Sequence, residues 1–128
     1  MEAKTILVIE DHEVNMKLMR AVLEIGNYRM LEAKDAETGL RLVREHLPDL
    51  VLMDLQLPGM DGLSATQIIK NDPALKHIPI LALTGFAMES EKAKAMGFGL
   101  ADYIVKPFSV PELLEIIAKH IKDRQTEK

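Results

Sequence analysis

Five side chains capable of charge or hydroxyl chemistry stand at the ends of short aliphatic runs in this 128-residue chain. Glu10 and Asp11 follow Ile6-Leu7-Val8-Ile9, and Asp54 follows Leu50-Val51-Leu52-Met53. Thr84 closes Ile80-Leu81-Ala82-Leu83, and Lys106 follows Tyr103-Ile104-Val105. Runs of this kind read as strands buried on both faces. A carboxylate at the end of such a strand is costly to bury without a partner. Three carboxylates brought together repel one another and need a cation. An all-oxygen set suits Mg²⁺, which keeps several waters and takes few protein ligands. Such a cation beside the Lys106 ammonium is built to receive a phosphoryl group, because both neutralise its equatorial oxygens. A carboxylate would then be the nucleophile and form an aspartyl-phosphate. Asp54, central and isolated before the loop LQLPGMDG, is the candidate, and the backbone carbonyl of Gln56 is a candidate further metal ligand.

These residues can meet only if the chain places the ends of its strands along one edge. Strand-like segments at Thr5 to Ile9, Tyr28 to Ala33, Leu50 to Met53, Ile80 to Thr84 and Tyr103 to Val105 alternate with helical ones. The helices are expected over Val14 to Ile25, stopped by Gly26, and over Ala36 to about His46, capped by Asp35. Others are expected over Leu63 to Lys70, Ser90 to Met96, and from the Ser109 cap past Pro111 to Ile121. The alternation predicts an α/β fold, a doubly wound five-stranded parallel sheet with helices on both faces and strand order 2-1-3-4-5. In that order ligands bind beyond the carboxyl ends of the strands, where the five side chains stand. A single domain is expected over 1–128, with a core over about 4–122 and a polar, frayed tail over 123–128.

Composition narrows the function further. Hydrophobic residues make up 48%, which argues against disorder. The net charge of -4, without a basic patch, argues against a dedicated nucleic-acid binder. The absence of cysteine excludes thiolate metal sites and thiol catalysis. No apolar run is long enough to span a bilayer or form a signal peptide, so the expected location is the cytoplasm.

The pieces ILVIEDHEVN, DLVLMDLQLPGMDG, ILALTGFA and ADYIVKPF, in this order and spacing, resemble the receiver domain of two-component response regulators over nearly the whole chain. The stretches VNMKLMRAVLE, HIPILALTGFAM and KPFSVPELLE are similar to the stand-alone, DivK-like class, although the receiver of a hybrid histidine kinase reads the same way. The resemblance implies a flavodoxin-like receiver in which Asp54 accepts a phosphoryl group from a histidine kinase or histidine phosphotransfer protein. It implies that Asp11 and Asp54 bind Mg²⁺ directly, with the Gln56 carbonyl, and that Glu10 helps through water. Lys106 would pair with Asp54 or the phosphoryl group, and the Lys106-Pro107 peptide would be cis. Thr84 would donate its hydroxyl to a phosphoryl oxygen and draw in the loop that follows. Tyr103 would swing from exposed to buried, presenting the signal to a downstream protein target on the fourth helix, fifth strand and fifth helix. Such a protein catalyses its own phosphotransfer and dephosphorylation and is not a turnover enzyme.

Taken one at a time these residues have plainer readings. Glu10 and Asp11 could cap a helix, Asp54 a loop, Thr84 could simply end a strand, Lys106 be a solvated charge and Tyr103 packing. The functional reading gains because all of them converge on one sheet edge. A haloacid-dehalogenase-type phosphatase would need an aspartate where Gln56 stands. A flavodoxin-like cofactor binder would need a Ser/Thr/Gly phosphate loop where EDHEVN stands. A binding module that is never phosphorylated stays open. The four histidines, His12, His46, His77 and His120, read as surface residues, with His12 not needed as a ligand. On the first helix Val14, Leu18, Val22 and Ile25 read as the inward stripe, leaving Met16, Met19 and Leu23 beyond it. Met16 is thereby a candidate contact for a kinase or phosphotransfer helix. Gly97-Phe98-Gly99-Leu100 departs from the family's single glycine followed by alanine and is expected to loosen the end of the fourth helix.

Overall fold

Strands whose residues are apolar on both faces need cover on both sides, and the hydrophobic helices between them supply it. The computed structural model describes residues 3–85 and 89–125, with the side chains of 89–92 and 122–125 excepted. It consists of β1 (Thr5–Ile9), α1 (Glu13–Ile25), β2 (Arg29–Ala33), α2 (Ala36–His46), β3 (Leu50–Asp54), α3 (Gly62–Lys70), β4 (Ile80–Thr84), α4 (Glu89–Met96), β5 (Asp102–Val105) and α5 (Val110–Gln125). The five strands pair in parallel in the order β2-β1-β3-β4-β5, as expected.

Alternation along the strands divides the interior in two. Leu7, Ile9, Val51, Met53, Ile80 and Ala82 face one cluster with α2 and α3, joined by Ala95 of α4. Ile6, Val8, Leu50, Leu52, Leu81 and Leu83 face the other, with α1 and α5. Two helix starts are fixed by short side chains. Asp35 accepts from the Thr38 amide at 2.7 Å, and Asp61 accepts from the Ser64 amide at 2.8 Å. At α5, Ser109 and Glu112 bond each other's amides reciprocally, at 3.2 and 2.8 Å.

Three expectations are corrected. The inward face of α1 is Met16, Met19, Val22 and Leu23, whereas Val14 is 79% exposed and Leu18 and Ile25 are exposed too. Apolar residues cover an arc of about 200° on this helix, too wide for periodicity to choose a side. Contact with the sheet and α5 chooses the methionine half. Met16 is fully buried, so it cannot dock a partner helix. The same rotation sets Arg20 against the edge strand. Its guanidinium donates to both Glu32 oxygens, at 2.6 and 2.8 Å, and to Glu13 at 2.9 Å.

The second correction concerns the end of α4. Gly97 donates to the Ala93 and Lys94 carbonyls, continuing the helical turn. Gly99 adopts φ +105, and a Cβ there would stand 2.8 Å from Lys70 Cγ. The glycine therefore serves a tight turn over the Lys70 stem, whose ammonium donates to the Ile78 and Lys76 carbonyls at 2.7 and 3.0 Å. Burial holds the Lys70 pKa below its ordinary value. Leu100 is buried after the turn. Third, α5 continues to Gln125, so residues 123–125 of the expected frayed tail are helical, while 126–128 lie outside the described residues.

The α1 orientation has a direct consequence for stability. Met16→Ala is expected to cost about 2–4 kcal/mol, the usual range for emptying a buried methionine site. Val14→Ala should change stability by less than about 0.5 kcal/mol. Urea denaturation with equal slopes for both variants checks the pair.

Candidate functional site

Strand parity brings the site together. Glu10 continues the alternation of Ile6 and Val8, and Asp54 continues that of Leu50 and Leu52. In register, Ile9 stands beside Met53, so Glu10 and Asp54 occupy the next level of neighbouring strands. Lys106, two residues beyond Ile104, comes from the far edge strand, with its amide bonded to the Thr84 carbonyl at 2.7 Å. The Lys106-Pro107 peptide bond is cis.

Two of the three acids are nearly closed to solvent, while Asp11 is partly exposed. Glu10 is 1% exposed and Asp54 4%. Lys106 Nζ donates to Asp54 Oδ2 at 3.0 Å and lies 3.6 Å from Glu10 Oε1. The other Asp54 oxygen, Oδ1, accepts from the Gln56 amide at 2.8 Å, which fixes the carboxylate from its loop side. The loop returns close to the same strand end. A Cβ on Gly62 would stand 2.8 Å from the Asp54 backbone oxygen and 3.0 Å from Leu55 Cα, so only glycine fits where α3 begins.

One ammonium does not balance this set. Glu10 Oε1 and Asp11 Oδ1 are buried atoms with no hydrogen-bond partner among the described residues. Buried oxygens in that condition are costly unless another group completes them. One donor atom from each of Glu10, Asp11, His12 and Asp54 lies within 4.8 Å of the others. Two ligands on one ion with bonds of about 2.1 Å lie no more than about 4.2 Å apart, so a small contraction suffices. Orphaned oxygens and a converging hard-donor set fit a divalent cation.

Of the residues anticipated from sequence, Glu10, Asp11, Asp54 and Lys106 come together. Thr84 is buried at the end of β4, and its position along the strand has the parity of Ile80 and Ala82, the opposite of Asp54's side. Tyr103 is buried in the cluster that holds Ala82, Ala95 and Leu100. Phe86 to Met88, the start of the loop expected to close on Thr84, lie outside the described residues. A pocket of about 190 Å³ opens beside Glu10 and Lys106, lined also by Asn15, Leu18, Met19, Pro107 and Phe108. Two contributors were not anticipated. One is Gly62, whose role depends on backbone approach. The other is His12, read from the sequence as not needed for a metal, whose ring stands among the converging donor atoms. His120 is also corrected, because it is partly buried and paired with Asp102 Oδ2 at 3.1 Å. His12, His46 and His77 are exposed.

Residues 6–118 match the family described as the response regulator receiver domain. The polar-differentiation response regulator DivK of Brucella anthropi is 42% identical over 120 residues, covering 94% of this chain and 98% of that protein. Among solved structures, the receiver domain of the sensor histidine kinase PA1611 from Pseudomonas aeruginosa, with a magnesium ion coordinated in its active-site cleft, superposes with a TM-score of 0.88. It is 33% identical, covering 94% of this chain and 99% of that one. A response regulator of Chloroflexus aurantiacus superposes with a TM-score of 0.90 at 29% identity, again covering 94% and 99%.

Crowding of carboxylates predicts a measurable effect. Asp11→Asn is expected to stabilise the protein by about 1 kcal/mol in chelator, by relieving repulsion at close range. Added Mg²⁺ should raise the melting temperature of the original chain and leave that of Asp11→Asn nearly unchanged. Thermal melts with chelator and with Mg²⁺ check both halves.

Proposed function

The chain belongs to the receiver domains of response regulators, and on that premise we propose that Asp54 accepts a phosphoryl group from a phosphohistidine on a histidine kinase or phosphotransfer protein. The observation that carries this reading is the Lys106 to Asp54 contact of 3.0 Å set among buried carboxylate oxygens that lack hydrogen-bond partners. In the reaction an Asp54 carboxylate oxygen attacks phosphorus, and the phosphorus to nitrogen bond breaks as the new bond to oxygen forms. The donor imidazole leaves with the bonding electrons, so the product is an acyl phosphate.

Each residue has a separate task in this scheme. The Gln56 amide and Lys106 orient the Asp54 carboxylate before attack. Asp11, Asp54 and the Gln56 carbonyl would hold Mg²⁺, with Glu10 acting through water, and the ion would supply positive charge against the phosphoryl oxygens. Lys106 then exchanges its carboxylate partner for the added phosphoryl group. Thr84 donates its hydroxyl to a phosphoryl oxygen and draws the following loop inward. Tyr103, which is buried in this structure, is the side chain that would swing with that loop. Phosphorylation thus biases two existing arrangements of the α4, β5 and α5 face, which a protein target reads.

The partners in this reading are proteins, with neither nucleic acid nor membrane, and the setting is the cytoplasm. Among the described residues no helix is long and apolar enough to cross a membrane. The chain promotes its own phosphorylation and its own return to the free acid, and turns over no separate substrate.

Intact mass after incubation with a small phosphodonor, with and without Mg²⁺, tests the central step. One phosphoryl addition is expected with Mg²⁺ and none for Asp54→Asn; equal labelling of Asp54→Asn would end the proposal. Lys106→Ala should still label in part, yet lose the amide chemical-shift changes that phosphorylation produces in β5 and α5. If those shifts persisted in full, Lys106 would have no part in the switch.

A further inference from the structure

His12 occupies the N-cap of α1, where a side chain ordinarily bonds the first turn, yet its imidazole makes no capping hydrogen bond. Nδ1 instead lies 3.3 Å from Asp11 Oδ1 and 3.4 Å from Glu10 Oε2. The backbone amide of His12 bonds the same Glu10 oxygen at 3.1 Å, which holds the residue beside the acids. The ring is one of the four groups whose donor atoms converge within 4.8 Å, and the only nitrogen donor among them. Glu10 Oε1, on a side chain that is fully buried, has no hydrogen-bond partner among the described residues and lies 3.6 Å from the Lys106 ammonium. His12 itself is 68% exposed, so an ion can reach the ring without the fold opening.

Carboxylate and water donors suit Mg²⁺, whereas imidazole favours first-row transition ions, whose affinity for nitrogen-containing sites rises along the series toward copper. We propose that His12 Nδ1 is a ligand for a first-row transition ion in this site, so that the chain binds such ions through a nitrogen donor that Mg²⁺ does not use. The inference rests on the divalent-cation reading above and adds His12 to it. The ring sits beside Glu10 and Asp11, and an ion there would take its lone pair while bonding the oxygens that lack hydrogen-bond partners.

Co²⁺ is the probe, because its visible absorption and paramagnetic shifts report nitrogen ligation directly. The full chain is titrated with Co²⁺ and, separately, with Mg²⁺, alongside His12→Asn and Asp11→Asn. For His12→Asn, Co²⁺ affinity should fall about tenfold or more while Mg²⁺ affinity stays within about twofold. In the original chain one imidazole should show a large paramagnetic shift that is missing from His12→Asn. A Co²⁺ affinity within about twofold of the original in His12→Asn, or an equal loss for both ions, overturns the proposal and leaves His12 an ion-pair partner of the acids. Asp11→Asn separates the two levels. If it weakens both ions while His12→Asn weakens neither, the cation site stands and only the nitrogen ligand fails. If the original chain binds neither ion, the cation reading fails with it.

Discussion

The contact between Lys106 and Asp54 is the constraint around which this molecule is arranged. It joins an edge strand to the central strand across β4, and it supplies the ammonium that faces a buried set of acids. Without that ammonium the buried Asp54 carboxylate would keep only the Gln56 amide, whereas Lys106, partly exposed, would retain Glu10 and solvent. The pair does not meet every need of the site, because Glu10 and Asp11 each keep a buried oxygen without a hydrogen-bond partner among the described residues. An arrangement that is tolerable but unfinished is ready to take up further charge of either sign. In the proposed reading a cation would complete the oxygens, and an anion on Asp54 would give the ammonium a new partner.

The rest of the fold serves that edge. Parallel pairing aligns the strand ends, and parity turns Glu10 and Asp54 to one side. Apolar packing on both faces makes the platform rigid, so a small rearrangement of charge is not absorbed locally. Gly62 lets α3 start against the Asp54 backbone, which keeps the loop short and the Gln56 amide in reach of the carboxylate. The site is therefore a property of the sheet edge as a whole, with the loops holding what the strands deliver.

Most of this was legible in the residues. Runs such as Leu50 to Met53 can form little else than covered strands, and their polar terminators mark the edge where chemistry collects. Element ends shifted by a residue or so, as at β5, which begins at Asp102 and not Tyr103. What was not legible depended on choices made between elements. The apolar arc of α1 offered two halves, and only the position of α5 and the sheet decided for Met16 over Val14. Gly99 read as looseness, because the Lys70 stem beneath it comes from residues distant in sequence. His120 read as a surface residue, because its partner Asp102 stands on another element. The helical turn over 123–125 was concealed by its polarity, since side-chain type says little about where a long helix stops.

The fork that Arg20 makes with Glu32 bears on how this protein behaves in company. β2 lies at one margin of the sheet and, unlike the inner strands, carries charge along its length at Arg29 and Glu32. A bare strand margin is a template on which a foreign chain can continue the ladder, and charged side chains are the usual deterrent. Here the deterrent is clamped in place by a helix, with Glu13 and Lys34 extending the cluster of ions. The β2 margin is thus guarded against the addition of a sixth strand by ions held from α1.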